Sequence, residues 1–216
     1  MMRVLLVSGS TRGGSTNTAA LATLAALAPA PVTPARYGGL TGLPAFNPDH
    51  DGDRLPSVVA ELRREIADAA AVLFCTPEYA GNLPGSFKNL LDWTVGGGEL
   101  LGKPVAWVNV AAPGRGSGAT AALDAVLAYV GASVIREACR DAPVGRSTVG
   151  PDGTVADPRF AATAWPPWST ASAATRPRSP AASRPSTGPR SRTTWSSPRS
   201  ASRSAATSGP PTSPPG

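Results

Sequence analysis

Two stretches of this chain, Val4-Leu5-Leu6-Val7 and Ala71-Val72-Leu73-Phe74-Cys75, are apolar at every position, and each stops abruptly in a loop of glycine, serine and proline. A strand with no polar alternation is buried on both faces, which requires a parallel sheet covered by helices on both sides. Between and after these runs the spacing is helical. Leu21, Leu24 and Leu27 mark a helix that Pro29 and Pro31 end, and Val58, Val59, Leu62 and Ile66 mark an amphipathic one. Phe87, Leu90 and Leu91 mark a third helix beginning near Pro84, and Leu123, Val126, Leu127 and Val130 a fourth that Gly131 closes. A weaker strand at residues 32–37, a fourth at 105–110 and a short fifth from Ser133 complete the alternation. Strand and helix in turn, joined by right-handed crossovers, predict an α/β doubly wound parallel five-stranded sheet.

In the flavodoxin-like version of that fold the strand order is 2-1-3-4-5. The C-terminal ends of strands one, three and four then meet at the point where ligands bind. Those strands carry the three unusual loops. The first, Ser8-Gly9-Ser10-Thr11-Arg12-Gly13-Gly14-Ser15-Thr16-Asn17, offers hydroxyls, glycine-exposed amides and one cation at a helix N-terminus, with no carboxylate. That is a composition for an anion such as phosphate. A loop that only caps its own helix needs one of Ser15, Thr16 and Asn17, not all of this. No Gly-Lys-Ser/Thr follows at Walker spacing, so nucleotide triphosphate hydrolysis has no support. The second loop, from Thr76, holds Pro77, Glu78, Tyr79 and Asn82 among glycines and prolines. The third, Gly114-Arg115-Gly116-Ser117-Gly118-Ala119, fits a loose G-x-G-x-x-A with Glu137 downstream, but follows the fourth strand rather than opening the fold. It suits a wall against a flat ring better than an independent dinucleotide site.

The spacing S-x-R-x-x-S-x-N from Ser10 to Asn17, with P-E-Y-x-G-x-x-P-G-x-x-K-N-x-x-D-W from Pro77 to Trp93, resembles the NADPH-dependent FMN reductase family, which includes quinone, chromate and azo reductases. The resemblance runs from residue 3 to about residue 160. It implies FMN and NADPH as cofactors and a small-molecule electron acceptor, with a homodimer or homotetramer as the assembly. It assigns the FMN phosphate to Ser10, Arg12, Ser15, Thr16 and Asn17. Pro77, Glu78, Tyr79 and Asn82 lie along the isoalloxazine edge, and the loop of Gly114 and Arg115 closes the other side. Hydride passes directly between cofactors, so no catalytic side chain is expected. His50, the sole histidine, reads as a solvated loop residue, and Lys88 with Asp92 as a surface i, i+4 pair. The rival readings are a flavodoxin-type electron carrier that does not oxidise nicotinamide, and a nucleic-acid binder using a basic tail.

Composition separates that tail from the rest. Residues 161–216 contain 13 Ser, 11 Pro and 7 Arg, and no Leu, Ile, Val, Phe, Met, Asp, Glu or Lys, so they cannot build a core. Residues 1–160 hold 13 Lys and Arg against 14 Asp and Glu, a net −1, so the chain's +6 belongs to the tail. A near-neutral domain argues against nucleic acid, and against a carrier of the strongly acidic kind. The family's last helix, expected after "GPDGTVADPRF", is missing from the sequence. The tail reads as a disordered low-complexity segment or as the product of a reading-frame shift. Cys75 and Cys139 form no CxxC and read as reduced residues of a cytoplasmic protein, and no apolar run reaches the ~20 residues of a membrane span.

Overall fold

The computed structural model of the chain describes residues 1–163; the expectations about the tail, its disorder, its origin and the absent last helix fall largely outside that range. Five parallel strands stand in the order β2-β1-β3-β4-β5: β1 (Met2–Ser8), β2 (Val32–Tyr37), β3 (Ala71–Cys75), β4 (Pro104–Asn109) and β5 (Ser133–Val134). A sixth, two-residue strand, β6 (Arg140–Asp141), also pairs with β4, on the same edge as β5. Together β5 and β6 are one edge strand interrupted by a 3-10 turn at Arg136–Ala138. The helices are α1 (Thr16–Ala26), α2 (Ser57–Asp68), α3 (Gly85–Asp92) and α4 (Ser117–Tyr129), and a short α5 begins at Pro158 and runs to Thr163.

The doubly apolar strands divide their side chains between two cores, as alternation dictates. Val4, Leu6, Leu73 and Val108 face α1, with Val155 and Phe160 from the C-terminal segment. Leu5, Val7, Val72, Phe74 and Val105 face α2, α3 and α4. On α2, Val59, Leu62 and Ile66 are fully buried while Val58 stays 39% exposed, one step off the buried stripe. Its C-terminal carbonyls are capped from the neighbouring crossover: the Lys103 ammonium donates to Ala67 O (3.1 Å) and Ala69 O (2.6 Å).

The K-N-x-x-D-W end of the long motif has a structural explanation. Asn89 donates from Nδ2 to Pro44 O (2.9 Å) and accepts from Phe46 N (2.7 Å), and Trp93 donates from Nε1 to the same Pro44 carbonyl (2.8 Å). The Phe46 and Trp93 rings meet edge to face at 4.9 Å. These contacts hold the long connection after β2 against α3, beneath the loop that follows β3. Lys88 and Asp92 make the expected surface pair at 2.6 Å.

Candidate functional site

The loops after β1, β3 and β4 leave the same end of the sheet, and backbone contacts fit them together. Gly9 N donates to Cys75 O (2.8 Å), and a Cβ at Gly9 would stand 2.3 Å from Thr76 Oγ1 and 2.9 Å from the Phe87 ring. Only glycine lets the first loop close on the second. The first loop is then shaped by its own hydroxyls: Ser8 Oγ accepts from Ser10 N and Ser10 Oγ from Arg12 N, each at 3.3 Å. Ser15 caps α1, its Oγ accepting from Asn17 N (3.2 Å), and the Asn17 carboxamide oxygen accepts from the Cys75 thiol (3.3 Å). Both side chains are buried, so they hold the loop from beneath. Burial pushes the Cys75 thiol far above its ordinary pKa, leaving it a neutral donor.

Ser10 and Thr16 are half-exposed and Arg12 is exposed. No hydrogen bond among the described residues uses the amides of Thr11, Gly13, Gly14, Ser15 or Thr16. A cluster of unpaired N–H groups at a helix N-terminus, beside one arginine and with no carboxylate in the loop, fits a phosphate.

The second loop is a tight reversal. Tyr79 N bonds to Asn82 O and Asn82 N to Tyr79 O, both at 3.0 Å, with Ala80 at φ 51° and Gly81 at φ 72° between them. Positive φ at both central positions defines a type I′ turn, and Ala80 bears the strain of that region. Asn82 Oδ1 accepts from Leu83 N (2.7 Å), and Tyr79 is half-exposed at the tip.

Glu78 joins this turn to the third loop. Its Oε2 accepts from Gly118 N (2.7 Å) and Ala119 N (3.2 Å), capping α4 from outside that helix. A Cβ on Gly118 would lie 2.2 Å from Gly81 O, so the turn and the helix touch backbone to backbone. The N-termini of α1, α3 and α4 therefore open at this end of the sheet. The one of α4 is satisfied by a carboxylate, and the one of α1 keeps its free donors.

Asn109, to which the sequence pattern gave no role, organises the third loop. Its Nδ2 donates to Arg115 O (3.1 Å) and Asp141 Oδ1 (2.8 Å), while its Oδ1 accepts from Ala111 N (3.1 Å). Gly116, at φ 86°, lies so close that a Cβ would come within 2.4 Å of Asn109 Oδ1. The available signal was a lone asparagine ending an apolar strand. Gly114 and Arg115 are exposed at the loop tip, Gly114 at φ 76°. His50 is exposed in its 3-10 turn, away from the three loops in sequence; no group of three or more His, Cys, Asp or Glu side chains that could hold a metal ion occurs among the described residues.

Residues 2–141 match the family of NADPH-dependent FMN reductases. The chain belongs to that family. Among its relatives, an NAD(P)H-dependent FMN reductase of Pseudomonas aeruginosa is 38% identical over 113 residues, covering 51% of this chain and 60% of the relative. A 2-hydroxy-1,4-benzoquinone reductase of a Burkholderia species is 35% identical over 137 residues, 58% of this chain and 74% of its own length. In three dimensions the chain resembles FerB, a flavoenzyme NAD(P)H:(acceptor) oxidoreductase of Paracoccus denitrificans, with a TM-score of 0.60 at 29% identity, over 75% of this chain and 90% of FerB. The family match ends at Asp141, just after the Asn109–Asp141 contact and before the composition changes.

Proposed function

We propose that this FMN reductase relative is an NAD(P)H oxidoreductase that binds FMN across its three loops and passes reducing equivalents to a quinone, a flavin or a similar small acceptor. The observation that carries the proposal is the N-terminus of α1, where free amides stand beside Arg12 with no carboxylate in the loop, whereas the N-terminus of α4 already holds the Glu78 carboxylate. An anionic phosphate goes to the first. Its contact with the helix end is worth about 0.3–1 kcal/mol, and up to ~2 where water is partly excluded.

In this reading Ser10, Arg12, Ser15, Thr16 and Asn17 bind the phosphate, and Ser15 and Asn17 also hold the loop. Pro77, Glu78, Tyr79 and Asn82 set one wall of a slot, and Gly114 with Arg115 the other. The bound flavin supplies the hydride chemistry. The chain's part is to fix the ring, which the Glu78 cap and the Gly118 contact do by tying the walls together. Both cysteines are free thiols, consistent with a reducing cytoplasm, and a homodimer or homotetramer is the assembly proposed. Among the described residues no helix is long and apolar enough to cross a membrane.

The test is direct. The purified chain should take up FMN in a near 1:1 ratio, and anaerobic NADPH or NADH should bleach the flavin absorbance within seconds. Protein that stays colourless in excess FMN refutes the proposal; flavin that binds and ignores both nicotinamides identifies an electron carrier.

A further inference from the structure

A cavity of about 290 Å3 lies one strand outward from the first loop, between β1, β2 and the first turns of α1. Its floor is Leu6 and Leu21, and Ser8, Thr18 and Arg36 line it. Strand alternation brings three of these together: Leu6 pairs with Arg36 in the sheet register, and Ser8 lies two residues after Leu6 on the same face. No carboxylate lines the cavity. Arg36 makes no ion pair or hydrogen bond among the described residues. Ser8 Oγ and Thr18 Oγ1 are 3.1 Å apart and share one proton, and Ser8 Oγ already accepts from Ser10 N. One hydroxyl proton of the pair is thus left to donate outward. The cavity presents a guanidinium and a hydroxyl donor over an aliphatic floor, so it asks for an anionic group carried on a small apolar body.

We infer that this cavity receives the 2′-phosphate end of NADPH and makes the protein prefer NADPH to NADH. The inference rests on the nicotinamide oxidation proposed above. Neighbouring strands are about 4.8 Å apart, which puts the β1–β2 cavity roughly 10 Å from the β3 loop where the flavin edge is proposed to lie. A dinucleotide with its nicotinamide at that edge spans such a distance. The fork of Arg36 suits a phosphomonoester, the Ser8–Thr18 pair adds a donor, and Leu6 with Leu21 offers a surface to the adenosine. None of residues 9–17 lines the cavity, so the free amides of the first loop stay open to FMN.

The experiment titrates FMN-loaded protein with 2′-AMP, 5′-AMP and inorganic phosphate, following backbone amide shifts of Arg36 and Gly38, and measures nicotinamide affinity for Arg36→Met and Arg36→Lys. Expected are amide shifts with 2′-AMP at lower concentration than with 5′-AMP or phosphate, and an NADPH dissociation constant raised about tenfold in Arg36→Met, the loss of one charge-assisted hydrogen bond. NADH and FMN affinities should be unchanged, and Arg36→Lys should fall between. Arg36 is exposed, so both variants should fold; the Thr18→Val variant supplies a second, smaller loss in the same direction. Equal losses for NADPH and NADH overturn the inference. So does a 2′-AMP response no stronger than that to phosphate, which would mark an unspecific anion site. The 2′-AMP titration reads the cavity without any turnover, so a protein that binds 2′-AMP there but never oxidises NADPH would defeat the proposed activity and leave the cavity's assignment standing.

Discussion

Replacing Gly118 by alanine tests whether the contact between the second and third loops sets the flavin slot. The added Cβ would be 2.2 Å from Gly81 O and 2.9 Å from Glu78 Oε2. An ordinary contact needs over 3 Å, so the start of α4 and the Tyr79–Asn82 turn must move apart by about 1 Å, at a cost of the order of 1–3 kcal/mol for an overpacked site. Alanine is the better helix former by at most about 1 kcal/mol, less in a first turn, and this offsets part of the loss. Net destabilisation of about 1–2 kcal/mol follows, visible as a lower urea midpoint with unchanged slope. The functional effect should be larger. A displacement of about 1 Å at a reacting pair can cost ~100-fold in rate. Stopped-flow reduction of FMN-loaded Gly118→Ala by NADPH under argon should be slower by one to two orders of magnitude, with riboflavin and FMN affinities weakened alike because the phosphate end is untouched. A variant that loses stability yet reduces flavin at the parent rate would refute the idea that this contact spaces the walls of the slot.

Arg12→Ala should weaken FMN far more than riboflavin in fluorescence titrations, because the guanidinium has the phosphate as its partner; equal weakening of both places Arg12 elsewhere. Asn109→Leu removes the partner of Arg115 O, Ala111 N and Asp141, and should destabilise the fold by about 2–3 kcal/mol in urea melts while raising amide exchange across residues 111–117. Glu99 sits beside Arg63 and Asp51, with its Oε2 buried and unpartnered, and burial chiefly raises its pKa above the usual carboxylate range. A raised carboxylate pKa means the folded state holds the proton longer than the unfolded chain, so stability falls as pH rises through the window between the two values. Glu99→Gln should abolish that slope in urea melts between mildly acidic and neutral pH, and an unchanged slope would assign it to another group.

The sheet was legible because the evidence for it is redundant. Each of β1, β3 and β4 combines an apolar run, a glycine-rich stop and a helical pattern, and any two suffice. The edge was harder to read. Val134 and Asp141 pair with the same strand seven residues apart, and a two-residue pairing leaves no periodicity to detect. Within the loops, residue type predicted which chain segments meet but not which way a side chain turns. Ser15 and Asn17 have the composition of ligand contacts and are also engaged within the protein by the helix cap and by the Cys75 thiol, since a buried hydroxyl or amide must find a partner nearby. The role of Glu78 was invisible for a related reason. A carboxylate that caps a helix 40 positions away leaves no local pattern, because its partners are backbone amides of residues that could be almost anything. Gly118 is the exception, where close approach forbids a side chain.

The abrupt change after Phe160 makes a prediction about the gene. Phe160 is buried in the core on the α1 side, with Val155 held to α1 by the bond from its amide to Thr23 Oγ1 at 2.7 Å. The C-terminal segment is thus anchored to that face as far as Phe160, inside α5, and the 6 residues of α5 are too few to be stable without a continuing amphipathic stripe. The sequence supplies no Leu, Ile or Val to continue it. If the sequence from residue 161 onward results from a reading-frame shift, another frame beyond the codon of Phe160 should encode ten to twenty residues, roughly, with Leu, Val or Ile at helical spacing. Fusing that stretch to residues 1–160 should raise the melting temperature and solubility, since apolar area covered is worth about 25 cal/mol per Å2, and should leave FMN affinity unchanged because all three loops precede the junction. A tail that belongs to the protein forecasts the reverse: Pro-, Ser- and Arg-rich sequence in every frame, and a chain shortened to Thr163 that melts where the parent does. Sequencing the locus and melting two proteins distinguishes them, and a fused helix that fails to raise the melting temperature would show that the α1 face needs no further cover.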